Sequence, residues 1–273
     1  MKTGVSLSTF PSSPGQPILF SQNYEQNLST IKGLGFDGVD FFMKSPEDEE
    51  TKKAVASLKK HGVGIGVILP ASMAQAGLFL GDDDESVRRE LISRMEGIVN
   101  FAAGFGANVA LGLVRGYISR AASSQAFYDH LSDSIGKLLK VARLAGVKLL
   151  IEPINRYEID NINSTAQAID YIRRSGLELS IMADTFHMNI EDESICASFV
   201  QAGDLTAHVQ LTDSNRLAPG MGHSPMKDTY AVLEAIGYTG YLSLECPSIK
   251  GIDSLSIAQK GAEFFGSVKK SVA

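Results

Sequence analysis

The chain alternates between short apolar runs and longer amphipathic segments. Each apolar run is rich in branched or aromatic residues, as expected for a strand that is buried on both faces of a parallel sheet. Eight such strands are predicted, at residues 5–8, 38–43, 63–69, 108–113, 148–155, 179–184, 206–211 and 241–245. Because an amphipathic segment follows each run, the pattern indicates parallel strands joined by helical crossovers.

The segments between the strands are predicted to be helices, since their apolar residues recur near helical spacing and most of them end at a glycine. They cover residues 24–34, 45–61, 84–105, 125–145, 164–175, 192–202, 226–236 and 254–268, with a longer loop at 71–83. Eight strand–helix units in 273 residues match a (β/α)₈ barrel, which usually has about 250. A doubly wound open sheet would need a glycine-rich turn after its first strand, and SLSTF at 6–10 is not one. We predict an α/β fold with a single TIM-barrel domain over residues 1–273.

Four neighbouring strands end on a side chain that carries oxygen. Glu152, Asp184, Gln210 and Glu245 stand at the ends of the fifth to eighth predicted strands. In a (β/α)₈ barrel these ends meet at one mouth, so the four side chains should converge. Carboxylate and amide oxygens suit hard divalent ions such as Mg²⁺ or Mn²⁺, and three carboxylates would repel one another without a cation. The pattern predicts a metal site, although any single residue of the four could instead cap a neighbouring helix.

Composition narrows the classes of protein that fit this pattern. The net charge is −6 and no basic stripe is present, so we expect no nucleic-acid partner. Two cysteines, Cys196 and Cys246, provide neither a disulfide framework nor a cysteine zinc site. The first residues are too short and polar for a signal peptide, and no apolar run reaches the about 18 residues of a membrane span. We expect a cytoplasmic protein with no membrane partner.

Several motifs surround the predicted strand ends in the C-terminal half. They are IEPINRYE at residues 151–158, DTFHMN at 184–189, HVQ at 208–210, DSNR at 213–216 and GYLSLE at 240–245. Together they resemble the sugar isomerase/epimerase family with the xylose-isomerase-like TIM barrel, and the patterns are most similar to those of the D-tagatose and D-psicose 3-epimerases. The motifs are specific to the superfamily and do not identify one sugar.

The resemblance implies an isomerase that moves a proton next to the carbonyl of a small ketose or hydroxy-carbonyl substrate, through an enediolate. The four strand-end residues would hold one divalent ion, which would be manganese, magnesium or cobalt, and Glu152 and Glu245 would act as the acid/base pair. Glu158, His187 and Arg216 fall at substrate-contacting positions of the family. The chemistry agrees, because such a reaction needs one group to remove the proton, one to return it, and a cation to polarise the carbonyl. Related enzymes commonly form homo-oligomers.

One position departs from the epimerase pattern. The 3-epimerases carry histidine where this chain has Gln210, whereas the hydroxypyruvate isomerases resemble this chain in having glutamine there. His208 lies two residues earlier, so on a strand it faces the same side one layer deeper, as a barrel-interior histidine. His187 is predicted to lie on a loop, three residues after Asp184.

Two further activities are known on similar barrels and remain open. A dehydratase of the inosose or dehydroshikimate type would use the same metal and base to eliminate water. An abasic-site endonuclease would need additional histidines at strand ends in the N-terminal half, and His61 and His130 lie on predicted helices instead. The leading hypothesis is therefore the isomerase, with the dehydratase second.

Overall fold

The computed structural model describes residues 1–13, 15–247 and 251–270, and its strands form one parallel sheet. The strands are β1 (Lys2–Ser8), β2 (Phe20–Ser21), β3 (Gly38–Phe42), β4 (Gly64–Leu69), β5 (Asn108–Leu111), β6 (Leu149–Ile151), β7 (Ser180–Asp184), β8 (Thr206–Gln210) and β9 (Tyr241–Leu244). Each strand from β3 to β9 pairs with the next, and β1 pairs with both β3 and β9. The sheet therefore closes into an eight-stranded barrel, with the two-residue strand β2 paired to the C-terminal end of β1, and the TIM-barrel prediction is confirmed.

Helices surround the barrel, and two short ones directly follow the C-terminal ends of strands. They are α1 (Tyr24–Gly33), α2 (Glu49–His61), α3 (Ala71–Gln75), α4 (Glu85–Ala103), α5 (Ser124–Ala145), α6 (Thr165–Ser175), α7 (Thr185–Glu191), α8 (Ile195–Ala202), α9 (Met226–Ala235) and α10 (Ser254–Lys270). None of the helices in the described ranges is long and apolar enough to cross a membrane.

Three helices differ from the prediction. The second helix does not begin near Ser45, because Asp48 caps it by accepting a hydrogen bond from the Thr51 amide. A short helix, α3, occupies the start of the predicted loop at 71–83. The helix α7, directly after Asp184, was not predicted, and it contains His187. The last difference matters most for function, because it fixes His187 on a regular element instead of a loop.

The barrel interior is divided into an apolar and a polar part. The interior apolar cluster takes one or two residues from each of β3 to β7, among them Phe42, Leu69 and Met182. The polar part comes from Asp40 on β3, Gln210 on β8 and their neighbours, and both side chains are fully buried. Buried polar groups are costly unless they are paired, and apolar residues would pack here at lower cost. The polar part therefore indicates where the interior serves a purpose other than packing.

Candidate functional site

A cavity of about 180 Å³ opens at the C-terminal ends of the strands. Five of the seven predicted site residues line it: Glu152, Glu158, His187, Arg216 and Glu245. The other two, Asp184 and Gln210, are fully buried at paired positions of β7 and β8. The remaining wall is mostly apolar and includes Phe10, Ile18, Phe42, Leu69, Val114 and Ile154. The cavity thus has one ionisable wall and one apolar wall.

Three carboxyl groups lie at this mouth with almost no contact with solvent. Glu152 follows β6, Asp184 ends β7 and Glu245 follows β9, and their exposed fractions are 5%, 0% and 3%. Burial, and next the charge of Asp184, raises the pKa of Glu152 to about 8. Burial also raises the pKa of Asp184 to about 7 and moves the pKa of Glu245 well above its ordinary value. Carboxyl groups in this environment hold protons unless a cation compensates their charge, so the site favours a bound positive ion.

Among the four predicted ligand residues, two buried oxygens have no hydrogen-bond partner within the described part of the chain. Asp184 accepts the Phe186 amide through Oδ1 at 2.9 Å, and its Oδ2 is unpaired. Gln210 donates its Nε2 to Asp40 at 3.1 Å, and its Oε1 is unpaired. A buried oxygen without a partner is costly, and a hard cation is the partner that two such oxygens would share. The donor set therefore fits a divalent ion.

His187 faces the carboxyl groups through a ring nitrogen whose protonation Asn155 determines. The Asn155 Oδ1 accepts the Tyr157 amide at 3.0 Å, so its Nδ2 is the end that donates to Glu158 at 3.0 Å and to His187 Nδ1 at 2.8 Å. Because Nδ1 is thus an acceptor, the neutral ring carries its proton on Nε2. That atom lies 3.6 Å from Asp184 Oδ2 and 4.0 Å from Glu152 Oε1. Burial lowers the pKa of His187 well below its ordinary value, which keeps the ring neutral.

The same geometry indicates whether His187 is a metal ligand or a hydrogen-bond donor. Ligand atoms of Glu152, Asp184 and His187 lie within 4.8 Å of one another, close enough to share an ion. A ring nitrogen that carries a proton has no lone pair for a metal, however, and Asn155 holds the proton on the nitrogen that faces the carboxylates. His187 is therefore better suited to donate a hydrogen bond than to bind an ion.

Arg216 connects the two sides of the ionisable wall. Its guanidinium donates to Glu158 Oε1 at 3.1 Å and to Glu245 Oε2 at 3.3 Å, and it lies 4.7 Å from the centre of the Phe186 ring. Of the described residues that line the cavity, Arg216 alone carries a permanent positive charge. Its charge holds Glu158 and Glu245 in place, and it is already shared between these two carboxylates.

The loop that carries Arg216 is organised by a buried aspartate, Asp213. Its carboxylate accepts the backbone amides of Ser214, Gly220 and Ser224 at 2.7, 2.8 and 2.9 Å. Within this turn, Arg216 adopts a left-handed backbone with a φ of 62°, a conformation that few non-glycine residues hold without support. Asp213 therefore supports the strained turn from which Arg216 reaches the cavity.

A buried arginine supports the strand end that carries Glu152. Arg115 is fully buried and donates to the carbonyl oxygens of Leu111 at 2.7 Å and Glu152 at 2.6 Å. Gly112 leaves room for the carboxylate, since a Cβ there would collide with Glu152 Oε2. The Arg115 guanidinium thus fixes the backbone of Glu152. The positive charge of Arg115 lies behind the site and not in the cavity.

The other histidines lie where the sequence places them. His208 is buried in the barrel interior, and its Nε2 lies 2.9 Å from Asp40 Oδ1. His61 pairs with Glu25 at 3.2 Å, and His130 lies 3.5 Å from Asp83, each on a helix. The described N-terminal strands therefore bring no histidine to the mouth.

Comparison with known proteins shows which family the chain resembles in sequence and fold. The profile described as "Xylose isomerase-like TIM barrel" matches residues 28–268. The chain is 30% identical over 239 residues to the 3-dehydro-D-guloside 4-epimerase of Escherichia coli, covering 83% of this chain and 88% of that protein. It is 27% identical over 237 residues to the D-psicose 3-epimerase of Agrobacterium fabrum, covering 85% and 81%. The crystal structure of 3-keto-D-glucoside 4-epimerase from E. coli superposes with a TM-score of 0.79 at 23% identity, covering 99% and 100% of the two chains, and shares the fold.

Proposed function

This chain belongs to the family of xylose isomerase-like TIM barrels, and from that membership and its site we propose a metal-dependent isomerase or epimerase of a small, unphosphorylated ketose or related hydroxy-carbonyl sugar. The curated relatives are epimerases, which supports an enzyme of the isomerase class. The observation that carries the proposal is the group of three buried carboxyl groups beside two unpaired oxygens at the mouth of the barrel. Such a group has no structural use, because packing alone would favour apolar residues there.

The proposed ligands of one divalent ion are Glu152, Asp184, Gln210 and Glu245. Manganese, magnesium and cobalt ions all bind oxygen ligands of this kind, so the ligand set is compatible with each of the three. When bound, the ion polarises the substrate carbonyl and stabilises the negative charge of an enediolate. The unpaired Oδ2 of Asp184 and Oε1 of Gln210 are the protein atoms that support this assignment.

Glu152 and Glu245 are the proposed acid and base. One group, as a carboxylate, removes the proton from the carbon next to the carbonyl, and the other, as a carboxylic acid, returns a proton to the opposite face of the planar enediolate. Their strands are separated by β7 and β8, which places the two groups on different sides of the mouth. Glu245 is held by Arg216, whereas Glu152 lies beside His187, so the two carboxylates have different surroundings. This difference suits groups that act on different faces of one substrate.

His187, Glu158 and Arg216 are the proposed substrate contacts. The Nε2–H of His187 is available to donate to a substrate oxygen, and Glu158 and Arg216 offer an acceptor and donors for hydroxyl groups. A phosphate would need uncommitted cations. Arg216 already serves two carboxylates, and the facing wall is apolar, so the described cavity favours a sugar without phosphate.

Removing a substrate contact is expected to weaken catalysis while the metal stays bound. We expect Arg216→Met and His187→Leu each to lower kcat/KM by about 10- to 100-fold, the usual effect of losing hydrogen bonds to charged groups. Metal content is measured by elemental analysis on the same samples. Arg174→Met is the matched control, because Arg174 is an exposed arginine that also pairs with a carboxylate, that of Asp170. Loss of the ion in either site variant would show that the residue belongs to the metal site instead.

Replacing the glutamine ligand should change which ion is preferred. Gln210→His is expected to retain a divalent ion and to shift the preference towards cobalt, since imidazole is a softer ligand than an amide oxygen. Titrating Mn²⁺ and Co²⁺ against both forms gives the ratio of their dissociation constants. If neither the affinities nor their ratio changes, Gln210 is not a ligand.

The reaction itself is tested by proton NMR in D₂O. The manganese-loaded protein is incubated with ketoses, aldoses, hydroxypyruvate, inososes and phosphorylated ketoses, and exchange of carbon-bound hydrogen is followed. We expect exchange next to the carbonyl of an unphosphorylated sugar, with formation of its epimer or isomer. Loss of water from an inosose would identify the dehydratase, and a preference for sugar phosphates would overturn the proposed substrate class.

A further inference from the structure

Asp40 forms a buried polar centre beneath the proposed metal site. It lies on β3, and its carboxylate is fully buried in the barrel interior. Its Oδ1 accepts from Ser243 Oγ at 2.7 Å and lies 2.9 Å from His208 Nε2. Its Oδ2 accepts from Gln210 Nε2 at 3.1 Å. One side chain from β3 thus binds three side chains that arrive from β8 and β9, across the barrel.

This contact determines which end of the Gln210 amide is available. A primary amide has a nitrogen that only donates and an oxygen that only accepts, and a carboxylate accepts. With the nitrogen held by Asp40, the oxygen is the free end, and it is a buried atom with no hydrogen-bond partner among the described residues. Gln210 pairs in register with Asp184, whose Oδ2 is also unpaired. The two free oxygens therefore come from neighbouring positions of adjacent strands.

We propose that Asp40 is a positioning residue that fixes Gln210 with its oxygen, and not its nitrogen, towards the divalent ion. The inference rests on the metal site proposed above. If the amide turned over, it would present N–H groups to a cation, and one ligand would be lost. Ser243 holds the other oxygen of Asp40, so the carboxylate cannot rotate away from Gln210 without breaking that bond.

The same arrangement would also suit a histidine in place of Gln210. An imidazole also has one nitrogen that donates and one that can bind a metal, and a carboxylate partner orients such ligands. Asp40 could hold either side chain by its donor end. This explains why we expect the Gln210→His variant to keep its ion.

The test is a double-mutant cycle on metal affinity. Free Mn²⁺ is measured by electron paramagnetic resonance for the unmodified protein, Asp40→Ala, Gln210→Met and the double variant. We expect Asp40→Ala to raise the Kd for Mn²⁺ about 10- to 100-fold, as loss of a partner that orients a ligand does. In the Gln210→Met background the same change should alter Kd less than twofold, because no amide remains to be oriented. Asp37→Ala is the matched control, since Asp37 is an exposed aspartate that precedes β3 and bonds Thr3 instead.

The outcomes separate this inference from the proposed function. Equal weakening in both backgrounds, or no weakening in the first, would overturn the role of Asp40. Failure of the unmodified protein to bind Mn²⁺ would overturn the metal site itself. Because Asp40→Ala leaves three buried groups without their partner and can fail to fold, a second measurement uses the unmodified protein. The side-chain amide protons of Gln210, assigned by their loss in Gln210→Met, should exchange slowly with D₂O in metal-free protein, and fast exchange would contradict their bond to Asp40.

Discussion

Glu152→Gln and Glu245→Gln are each expected to lower kcat by about 10²- to 10⁴-fold, the usual contribution of a general acid or base. Glutamine retains an oxygen that can bind an ion but cannot accept a proton at neutral pH. The fold should survive, because glutamine has nearly the same size and both sites are already polar. Steady-state kinetics, with circular dichroism and metal content on the same samples, measure the effect. Glu178→Gln is the matched control, since Glu178 is an exposed glutamate that pairs with Arg143.

The two variants should also differ from each other in deuterium exchange. If the glutamates act on opposite faces of an enediolate, each variant retains one base and exchanges deuterium into only one of the two epimers. If a single carboxylate carries the proton between neighbouring carbons, one variant will keep measurable isomerisation. NMR in D₂O with each epimer as starting material separates these cases. Conversion at the normal rate by both variants would rule out the pair as acid and base.

Removal of the divalent ion is expected to abolish activity and to lower thermal stability. After EDTA treatment the protein should be inactive, and Mn²⁺ should restore activity at one ion per chain by elemental analysis. Mn²⁺ at about 100 times its Kd adds about 2.7 kcal/mol to the free energy of unfolding. For a domain of this size that corresponds to a rise in Tm of about 5–10 °C. Full turnover by the metal-free chain would contradict the proposal.

The stabilisation by metal should increase with pH. In the metal-free fold, burial raises the pKa of Glu152 to about 8 and that of Asp184 to about 7, whereas in the unfolded chain both groups ionise near their ordinary values. Between about pH 4 and pH 8 the folded protein therefore binds more protons than the unfolded chain, and these groups lower its stability as the pH rises. A bound ion replaces those protons. The rise in Tm on adding Mn²⁺ should accordingly be larger at pH 8 than at pH 5, as differential scanning calorimetry will show.

The barrel and the position of its mouth could be predicted from the sequence because both depend on local patterns. Alternating apolar runs and helices specify parallel strands, and polar residues at the ends of four runs mark where those strands meet. The strand before Glu152 proved shorter than predicted, ending at Ile151 instead of continuing to Asn155. Glu152 nevertheless lies at the mouth, because it directly follows the last residue of the shorter strand.

The elements that were missed depend on contacts that the sequence pattern does not encode. The helix α7 is seven residues long, too short for a clear helical period, and Asp184 begins it by accepting the Phe186 amide. Asp40 lies inside an otherwise apolar run, and its partners are 168 to 203 residues away along the chain. Only the closure of the barrel brings these side chains together. The part of the site that supports the proposed ligands is therefore less predictable than the positions of those residues at the mouth.

Proton transfer through an enediolate is tested most directly by the fate of one hydrogen. The manganese-loaded protein is allowed to convert its sugar in D₂O, and the product is isolated early, before it can react again. Because a carboxyl group exchanges its proton with solvent, we expect one deuterium at the carbon that Glu152 and Glu245 act on. A product that forms at full rate without deuterium would show that the hydrogen does not pass through an exchangeable carboxyl group, and it would contradict the account.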